Sequence, residues 1–257
     1  WGFVGVSASR FRDDYGNPGE PGDLDEGERG VWLRMKQDRY ELKGGLNDPW
    51  GEGSSLRYSF GHTQYDHTEF EGDEVGTIFS KRANEGRVEA AFAASNGWQT
   101  AVGVQGSDST FEAIGEESFV PRTDTKAVGV FGLARNSWGA LQADLGARVD
   151  QVKYDTATGL SRDFHPGSLS LSGAWRFNPN WRMTLNLDHA ERAPAAEELF
   201  ADGPHIATLA YEVGNADLKK EAANQVELGL QYQNDWVDAK VPAYSNRPTY
   251  SLHLADT

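Results

Sequence analysis

The 257-residue chain contains no cysteine, which excludes disulfide bonds and thiolate metal sites. It also lacks any run of about eighteen apolar residues, the length that a transmembrane helix requires. Basic residues are few: 24 Lys and Arg face 39 Asp and Glu, and the formal net charge is −15. A nucleic-acid-binding protein needs a basic surface to displace counterions from phosphate. We therefore expect no nucleic-acid partner.

The chain does contain many short segments in which apolar and polar residues alternate. One segment places Trp181, Met183, Leu185 and Leu187 at every second position, and another does the same with Val226, Leu228, Leu230 and Tyr232. A period of two predicts a β-strand with one apolar and one polar face. Similar segments recur from residue 1 onward and predict an all-β, antiparallel protein of about twelve strands.

Five short turns carry a tryptophan, and long polar loops lie between them; the tryptophans are Trp50, Trp98, Trp138, Trp181 and Trp236. Tryptophan is enriched at membrane–water interfaces. The polar faces of the strands carry charges such as Asp144 and Arg148, which a small closed barrel could bury only at high cost. A wide, water-filled lumen solvates such charges, so the pattern favours a transmembrane β-barrel. The alternative is a soluble barrel or sandwich whose end the tryptophans close.

The stretch between the strand pattern around Leu187 and the next one, which begins at Gln225, includes residues 188–215 and predicts a single loop of about thirty-five residues. Loops of that length in a compact fold are usually functional. The loop contains Arg-Ala-Pro-x-x-Glu-Glu-Leu-Phe from Arg192, Gly-Pro-His-x-Ala-Thr from Gly203 and Tyr-Glu-x-Gly-Asn-x-x-Leu-x-x-Glu from Tyr211. This ordered set resembles the barrel signature of TonB-dependent outer-membrane receptors. The version with histidine resembles the branch that includes zinc-uptake receptors.

The resemblance implies a twenty-two-stranded barrel in the bacterial outer membrane, of which residues 1–257 would be one part. The N-terminal plug and the remaining strands are expected to lie outside this chain. Expected partners are the TonB energy-coupling complex, reached through the missing plug, outer-membrane lipid and lipopolysaccharide, and a metal or metal-chelate ligand. Pro242 and Pro248 disturb the strand pattern after about residue 240, because proline is confined to sheet edges and bulges.

The six histidines are the first candidates for metal ligands, because neutral imidazole suits zinc and nearby carboxylates can complete a site. By the resemblance, His205 is a metal ligand, and Asp202 and Glu212 lie near it in sequence; the alternative is a loop histidine bonded to a carbonyl. A second candidate is the pair His67 and Glu69, which would share a face if the chain were extended. The alternative there is a solvated polar loop, predicted to begin at about Asp66.

Weaker candidates complete the list of possible sites. Asp163 and His165 lie near each other in sequence, and two acidic clusters, around residues 13–28 and 66–74, either attract cations or form a solvated surface. Arg192, Glu197 and Glu198 are expected to be structural, with Arg192 bonded to carboxylates and the two glutamates in one helical turn.

No nucleophile elbow, phosphate-binding loop or His-Glu-x-x-His motif is present, so we expect no enzyme. The predicted function is import of zinc or another transition-metal species, with zinc as transported ligand and no cofactor required. Alternatives are a siderophore or haem receptor of the same family, a non-transporting surface barrel, and a soluble ligand-binding β protein.

Overall fold

The computed structural model describes residues 1–16, 31–115, 118–205 and 210–249, with the backbone alone at positions 71, 205 and 210. Most of the first acidic cluster therefore lies outside the described residues. The same is true of Ile206, Ala207 and Thr208 in the histidine motif, and of His253.

Twelve strands of the described chain form one antiparallel sheet, which confirms the predicted fold class and strand number. Its order is β1-β2-β3-β4-β5-β6-β7-β9-β10-β13-β14, and β8 pairs with one end of β7 beside β9. The strands are β1 (Gly2–Gly16), β2 (Val31–Asn47), β3 (Ser55–Glu71), β4 (Glu74–Ser95), β5 (Trp98–Gly115), β6 (Thr123–Trp138), β7 (Leu141–Thr156), β8 (Ser161–Phe164), β9 (Gly167–Asn178), β10 (Trp181–Arg192), β13 (Glu221–Gln233) and β14 (Asp238–Pro248).

The sheet has one apolar and one polar face, as the alternation predicts. The apolar face exposes valine, leucine and phenylalanine side chains along most strands, among them Val104, Val130 and Leu145. The polar face carries ion pairs between charged neighbours. Arg148 lies 2.6 Å from Asp150, and Arg87 lies 2.6 Å from Glu89. The charges that argued for a wet lumen are therefore gathered on one side of the sheet.

The five turn tryptophans named above lie at the end of the sheet that carries the short turns. Trp98 begins β5 and Trp138 ends β6, and their rings meet edge to face with centroids 5.5 Å apart. The turn between β4 and β5 is Asn96-Gly97, and both residues have positive φ (51° and 82°). Those angles match the right-handed twist of the flanking strands, which explains the tightness of this hairpin.

At the opposite end of the sheet the strands are longer than predicted. The loop expected from about Asp66 is wrong, because β3 continues to Glu71 and β4 begins at Glu74. Gly72, with φ of 60°, allows the tight turn, and the Trp32 indole donates a 2.7 Å hydrogen bond to its carbonyl. Likewise, β5 runs to Gly115 and occupies part of one of the long polar loops that were expected between the tryptophan turns. Cross-strand hydrogen bonds hold these extensions although their composition is polar.

The apolar face ends part-way along these long strands. On β7, Leu145, Ala147 and Val149 are followed on the same face by Gln151, Lys153 and Asp155. We call the part near the short turns the apolar belt and the part past it the extended end. The buried hydrophobic side chains of the described residues form two clusters at the extended end, one around Tyr154, Phe164 and Leu199 and the other around Phe79, Phe119 and Val120.

Among the described strands, β1 and β14 lie at the two ends of the sheet order. Pro242 and Pro248 both lie in β14, opposite Gly229 and Ala223 of β13. Over the described ranges, no helix is long and apolar enough to span a membrane.

Candidate functional site

The connection between β10 and β13, residues 193–220, has more structure than the single loop that the sequence predicted. It contains a short helix, α1 (Ala196–Phe200), and a two-stranded hairpin of β11 (Asp202–His205) and β12 (Ala210–Val213). In addition, β10 continues to Arg192 before the connection begins. We call residues 193–220 the β10–β13 segment.

Arg192 anchors the start of the β10–β13 segment. Its guanidinium lies 2.9 Å from a Glu198 carboxylate oxygen and 2.7 Å from a Glu221 carboxylate oxygen. The second Glu198 oxygen accepts a 2.6 Å hydrogen bond from the backbone N–H of Ala195. The two carboxylates raise the pKa of Arg192, so its charge is fixed at physiological pH. The structural role expected for Arg192 and Glu198 matches this geometry, and Glu197 lies beside Glu198 in α1.

Glu191 and Lys220 anchor the other end of the segment. Lys220 Nζ lies 2.6 Å from a Glu191 carboxylate oxygen and donates a second bond, 2.8 Å, to the carbonyl of His165. The same Glu191 oxygen accepts a bond from the backbone N–H of Gly167. Lys220 first, and then this backbone donor, lower the pKa of Glu191. The segment is therefore held by charge-assisted contacts at both of its ends.

Apolar packing fixes the middle of the segment against the polar face of the sheet. Leu199 and Phe200 of α1 are buried against Tyr154 and Phe164, and the Tyr154 hydroxyl donates a 2.9 Å hydrogen bond to the carbonyl of Pro194. Gly214 packs so closely that a Cβ there would lie 2.7 Å from the backbone of α1. Only glycine fits at this contact, which gives a physical reason for the Gly in the Tyr-Glu-x-Gly-Asn motif.

His205 lies at the end of β11, directly opposite Ala210 in the hairpin. Its backbone is described and its side chain is not, so its predicted role as a metal ligand stays a prediction. Asp202, named as a possible helper, accepts a 3.1 Å hydrogen bond from the Tyr211 hydroxyl. That bond raises the pKa of Tyr211. Glu212 lies opposite Gly203 in the same hairpin.

His67 and Glu69 lie on β3 at the extended end, and they share the polar face as predicted for an extended chain. Their closest side-chain atoms, Nε2 and Oε1, are 3.6 Å apart, which is too long for a hydrogen bond. Glu69 is 4% exposed. His67 Nδ1 and Glu69 Oε2 are buried, and neither has a hydrogen-bond partner among the described residues. The pair lies on a strand, with Glu69 buried and His67 partly buried, and not in the solvated loop that the alternative predicted.

Aromatic rings surround His67 on its own strand and on β4. Its imidazole stacks on the ring of Phe79 with centroids 4.6 Å apart and meets Tyr65 edge to face at 5.6 Å. Burial raises the pKa of Tyr65, so its phenol stays protonated. Sequence reasoning missed Phe79, because it lies twelve residues away and reaches His67 only through the register of β3 with β4.

Phe79 also connects the His67 site to the β10–β13 segment. Its ring packs edge to face on Phe119 at 6.3 Å, and Phe119 belongs to the same buried cluster as Ala201. The Phe119 carbonyl accepts a 2.7 Å hydrogen bond from the backbone N–H of Asp202 at the start of β11. The fold thus brings the strands of both candidate histidines, β3 and β11, to one end of the sheet.

The remaining histidine candidates have weaker geometry. His165 and Asp163 are 3.9 Å apart, and the His165 side chain is 70% exposed. His62 and His189 bond to Asn84 and Asn224 at the edge of the apolar belt. Within the described ranges no three His, Cys, Asp or Glu side chains converge as a metal site would require.

A family model described as TonB dependent receptor-like, beta-barrel, matches residues 2–247. The chain belongs to this family. Proteins of this family lie in the bacterial outer membrane, which agrees with the localisation expected from the sequence. In such barrels the short turns lie on the periplasmic side and the longer loops outside the cell. The extended end, with both candidate sites, then lies on the extracellular side.

The individual proteins that resemble the chain share only a small part of its sequence. It is 25% identical over 134 residues to the iron-regulated outer membrane virulence protein of Vibrio cholerae serotype O1, covering 51% of this chain and 21% of that protein. Its fold is similar to that of the copper transporter OprC (TM-score 0.76, 15% identity, 95% of this chain and 42% of that one). The FrpB iron transporter of Neisseria meningitidis is also similar (TM-score 0.69, 11% identity, 94% and 41%). The chain spans less than half the length of each.

Proposed function

We propose that the chain is part of the barrel of a TonB-dependent receptor that imports zinc or another transition-metal species, and that His67 and Glu69 contact the metal. The observation that carries this proposal is the unsatisfied state of the pair. His67 Nδ1 and Glu69 Oε2 are both buried, and no described residue bonds to either atom.

The energetic cost of such a pair supports a binding role. A buried polar atom without a partner costs about 1–3 kcal/mol, and a charged group costs more. Nearby carboxylates at the same end of the sheet, such as Glu191 and Glu198, have several donors each. A metal ion supplies what His67 and Glu69 lack, because imidazole nitrogen and carboxylate oxygen both donate electron pairs to zinc.

The position of the pair fits a receptor for an incoming solute. It lies past the apolar belt on the polar face, on the side where the family places its extracellular loops. The net charge of −15 gives the protein a field that concentrates cations. In this proposal the plug and the TonB complex supply the energy-coupled step, and outer-membrane lipid and lipopolysaccharide surround the apolar belt.

A siderophore or haem receptor is the second candidate, and the aromatic surroundings of His67 favour it. Phe79 stacks on the imidazole, and Tyr65 meets the ring edge. Flat aromatic ligands pack against such rings. Two of the proteins that resemble the chain are named for iron.

Calorimetric titration of the whole receptor in detergent tests the proposal, with Zn²⁺ as the first probe. We expect His67→Ala to weaken zinc binding by at least about tenfold, since loss of even an outer-shell partner costs about 10–100-fold. His165→Ala is the matched control, because it removes an exposed histidine at the same end of the sheet. The His205→Ala variant tests the other predicted ligand in the same titration.

Three results separate the hypotheses. Zinc binding that His67→Ala abolishes and His165→Ala preserves supports the proposal. Zinc binding that survives in His67→Ala but fails in His205→Ala moves the site to the β11–β12 hairpin. The absence of heat with zinc in the wild-type receptor contradicts zinc as the ligand, and titration with haem and ferric siderophores then decides between the remaining candidates.

A further inference from the structure

Met35 lies next to the His67 pair in the sheet. It stands directly opposite His67 in the antiparallel pairing of β2 with β3. Directly opposite residues project from the same face, with Cβ atoms about 4.5–5.5 Å apart. Met35 is partly buried, and the chain contains only two methionines.

Met35 lies beside two residues that can act as metal ligands, His67 and Glu69. On the β4 side, the imidazole is covered by the ring of Phe79. On the β2 side its direct neighbour is Met35. Glu69 is two residues along β3 and therefore lies on the same face. A thioether sulfur, an imidazole nitrogen and a carboxylate oxygen thus come from adjacent positions of two paired strands.

We propose that Met35 is a third ligand of this site and that the site prefers copper to zinc. The inference rests on the proposed function, and it names the metal that the site selects. Imidazole serves zinc and copper alike, whereas a soft thioether favours Cu⁺. Carboxylate and imidazole also suit Cu²⁺, which binds N and O ligands more tightly than Zn²⁺ does. Binding requires no change in the oxidation state of the metal.

The second methionine provides a matched control. Met183 lies on the apolar face of β10, opposite Leu230 of β13. Replacing either methionine with leucine removes a thioether and nearly conserves volume, a change that folded proteins usually tolerate. Met35→Leu and Met183→Leu therefore differ mainly in whether the lost sulfur adjoins His67.

The test compares copper and zinc binding in these variants of the whole receptor. Cu⁺ is delivered from a chromogenic chelator under anaerobic conditions, and Zn²⁺ is titrated separately. We expect Met35→Leu to weaken Cu⁺ binding by at least about tenfold, to change zinc binding by less than about twofold, and to remove a sulfur signal from the X-ray absorption spectrum of bound copper. Met183→Leu should bind both ions as the wild type does.

Other outcomes overturn the inference in distinguishable ways. If Met35→Leu binds Cu⁺ like the wild type, the thioether is not a ligand, while a loss of binding in His67→Ala still supports the proposed function. If Met35→Leu weakens copper and zinc equally, Met35 acts by packing alone. If His67→Ala leaves the binding of both ions unchanged, the proposed function of the pair fails together with the inference.

Discussion

The two groups of polar residues at the extended end of the sheet differ in how many of their polar atoms have a hydrogen-bond or ion-pair partner. In and around the β10–β13 segment, Arg192 bonds to two carboxylates, and Glu191 bonds to Lys220 and a backbone N–H. On β3, His67 is partly buried and Glu69 is buried, and each leaves one buried polar atom without a partner among the described residues. The first group has the geometry of a structural anchor, and the second is the pair for which we propose a bound metal.

The contrast shows why charged residues at one end of the sheet need not share a function. The Glu-Glu pair of α1 looks suitable for metal binding in the sequence, yet Glu198 is already bonded to Arg192 and to the backbone of Ala195. A carboxylate with several donors has little to gain from a metal ion. Glu69 has more to gain, because a bound cation would offset the cost of its burial.

The largest effect that we predict concerns the packing of the β10–β13 segment. Leu199 is 2% exposed and packs in the cluster around Tyr154. Leu199→Ala should destabilise the docked segment by about 2–5 kcal/mol, because the substitution loses buried area and leaves a cavity. We expect the amides of residues 195–220 to exchange with solvent at least about 30-fold faster, as measured by hydrogen-exchange mass spectrometry.

A leucine on the apolar belt provides the control for this experiment. Leu171 on β9 is 40% exposed and lies on the opposite face from the segment. Leu171→Ala should leave exchange in the segment unchanged. Equal acceleration in the two variants would contradict the anchoring role of Leu199 and would indicate a general loosening of the sheet.

A smaller effect is predicted for pH, through the anchor at Glu191. Its pKa is lowered from the usual 4.5 by Lys220 and by the Gly167 N–H. The stabilisation that ionised Glu191 gives to the packed β10–β13 segment is therefore complete above about pH 4.5. It is lost as the pH falls through the lowered pKa. Partly exposed ion pairs contribute about 0.2–1 kcal/mol, so exchange in the segment should accelerate by up to about fivefold in acid.

Two variants distinguish this anchor from general acid effects. Glu191→Gln should already show the faster exchange at pH 7 and should respond less to acid. Asp155→Asn is the control: Asp155 also has a lowered pKa, owing to Lys153, but it lies on the other face of β7 from Tyr154 and the segment. If Asp155→Asn changes the pH dependence of the segment as much as Glu191→Gln does, Glu191 is not its acid-sensitive anchor.

Much of the fold follows from the sequence because the period of two is a local property. The alternation around Met183 and Leu228 predicted both strands, and the tryptophans marked the short turns. The ends of the strands were harder to predict, since past the apolar belt both faces are polar and alternation no longer shows the pairing. For that reason the sequence pattern predicts a loop from about Asp66, although β3 continues to Glu71.

The candidate site was predictable only along one strand. The i, i+2 spacing of His67 and Glu69 indicated a shared face, and the structure places them there. The neighbours across the strands, Met35 and Phe79, depend on the register of three strands, which the sequence does not reveal. The prediction for His205 came from the resemblance and remains a prediction.

The central claim is that His67 and Glu69 form a binding pair, whereas Glu198 belongs to a structural anchor. The most direct test measures the unfolding temperature of the whole receptor in detergent, first with a chelator and then with Zn²⁺ or Cu⁺, for the wild type, Glu69→Leu and Glu198→Leu. We predict that Glu69→Leu with chelator unfolds at or above the wild-type temperature and no longer gains stability from the metal. Glu198→Leu should unfold at a lower temperature and keep that gain. A Glu69→Leu variant that unfolds earlier than the wild type with chelator, and still gains stability from the metal, would contradict the claim.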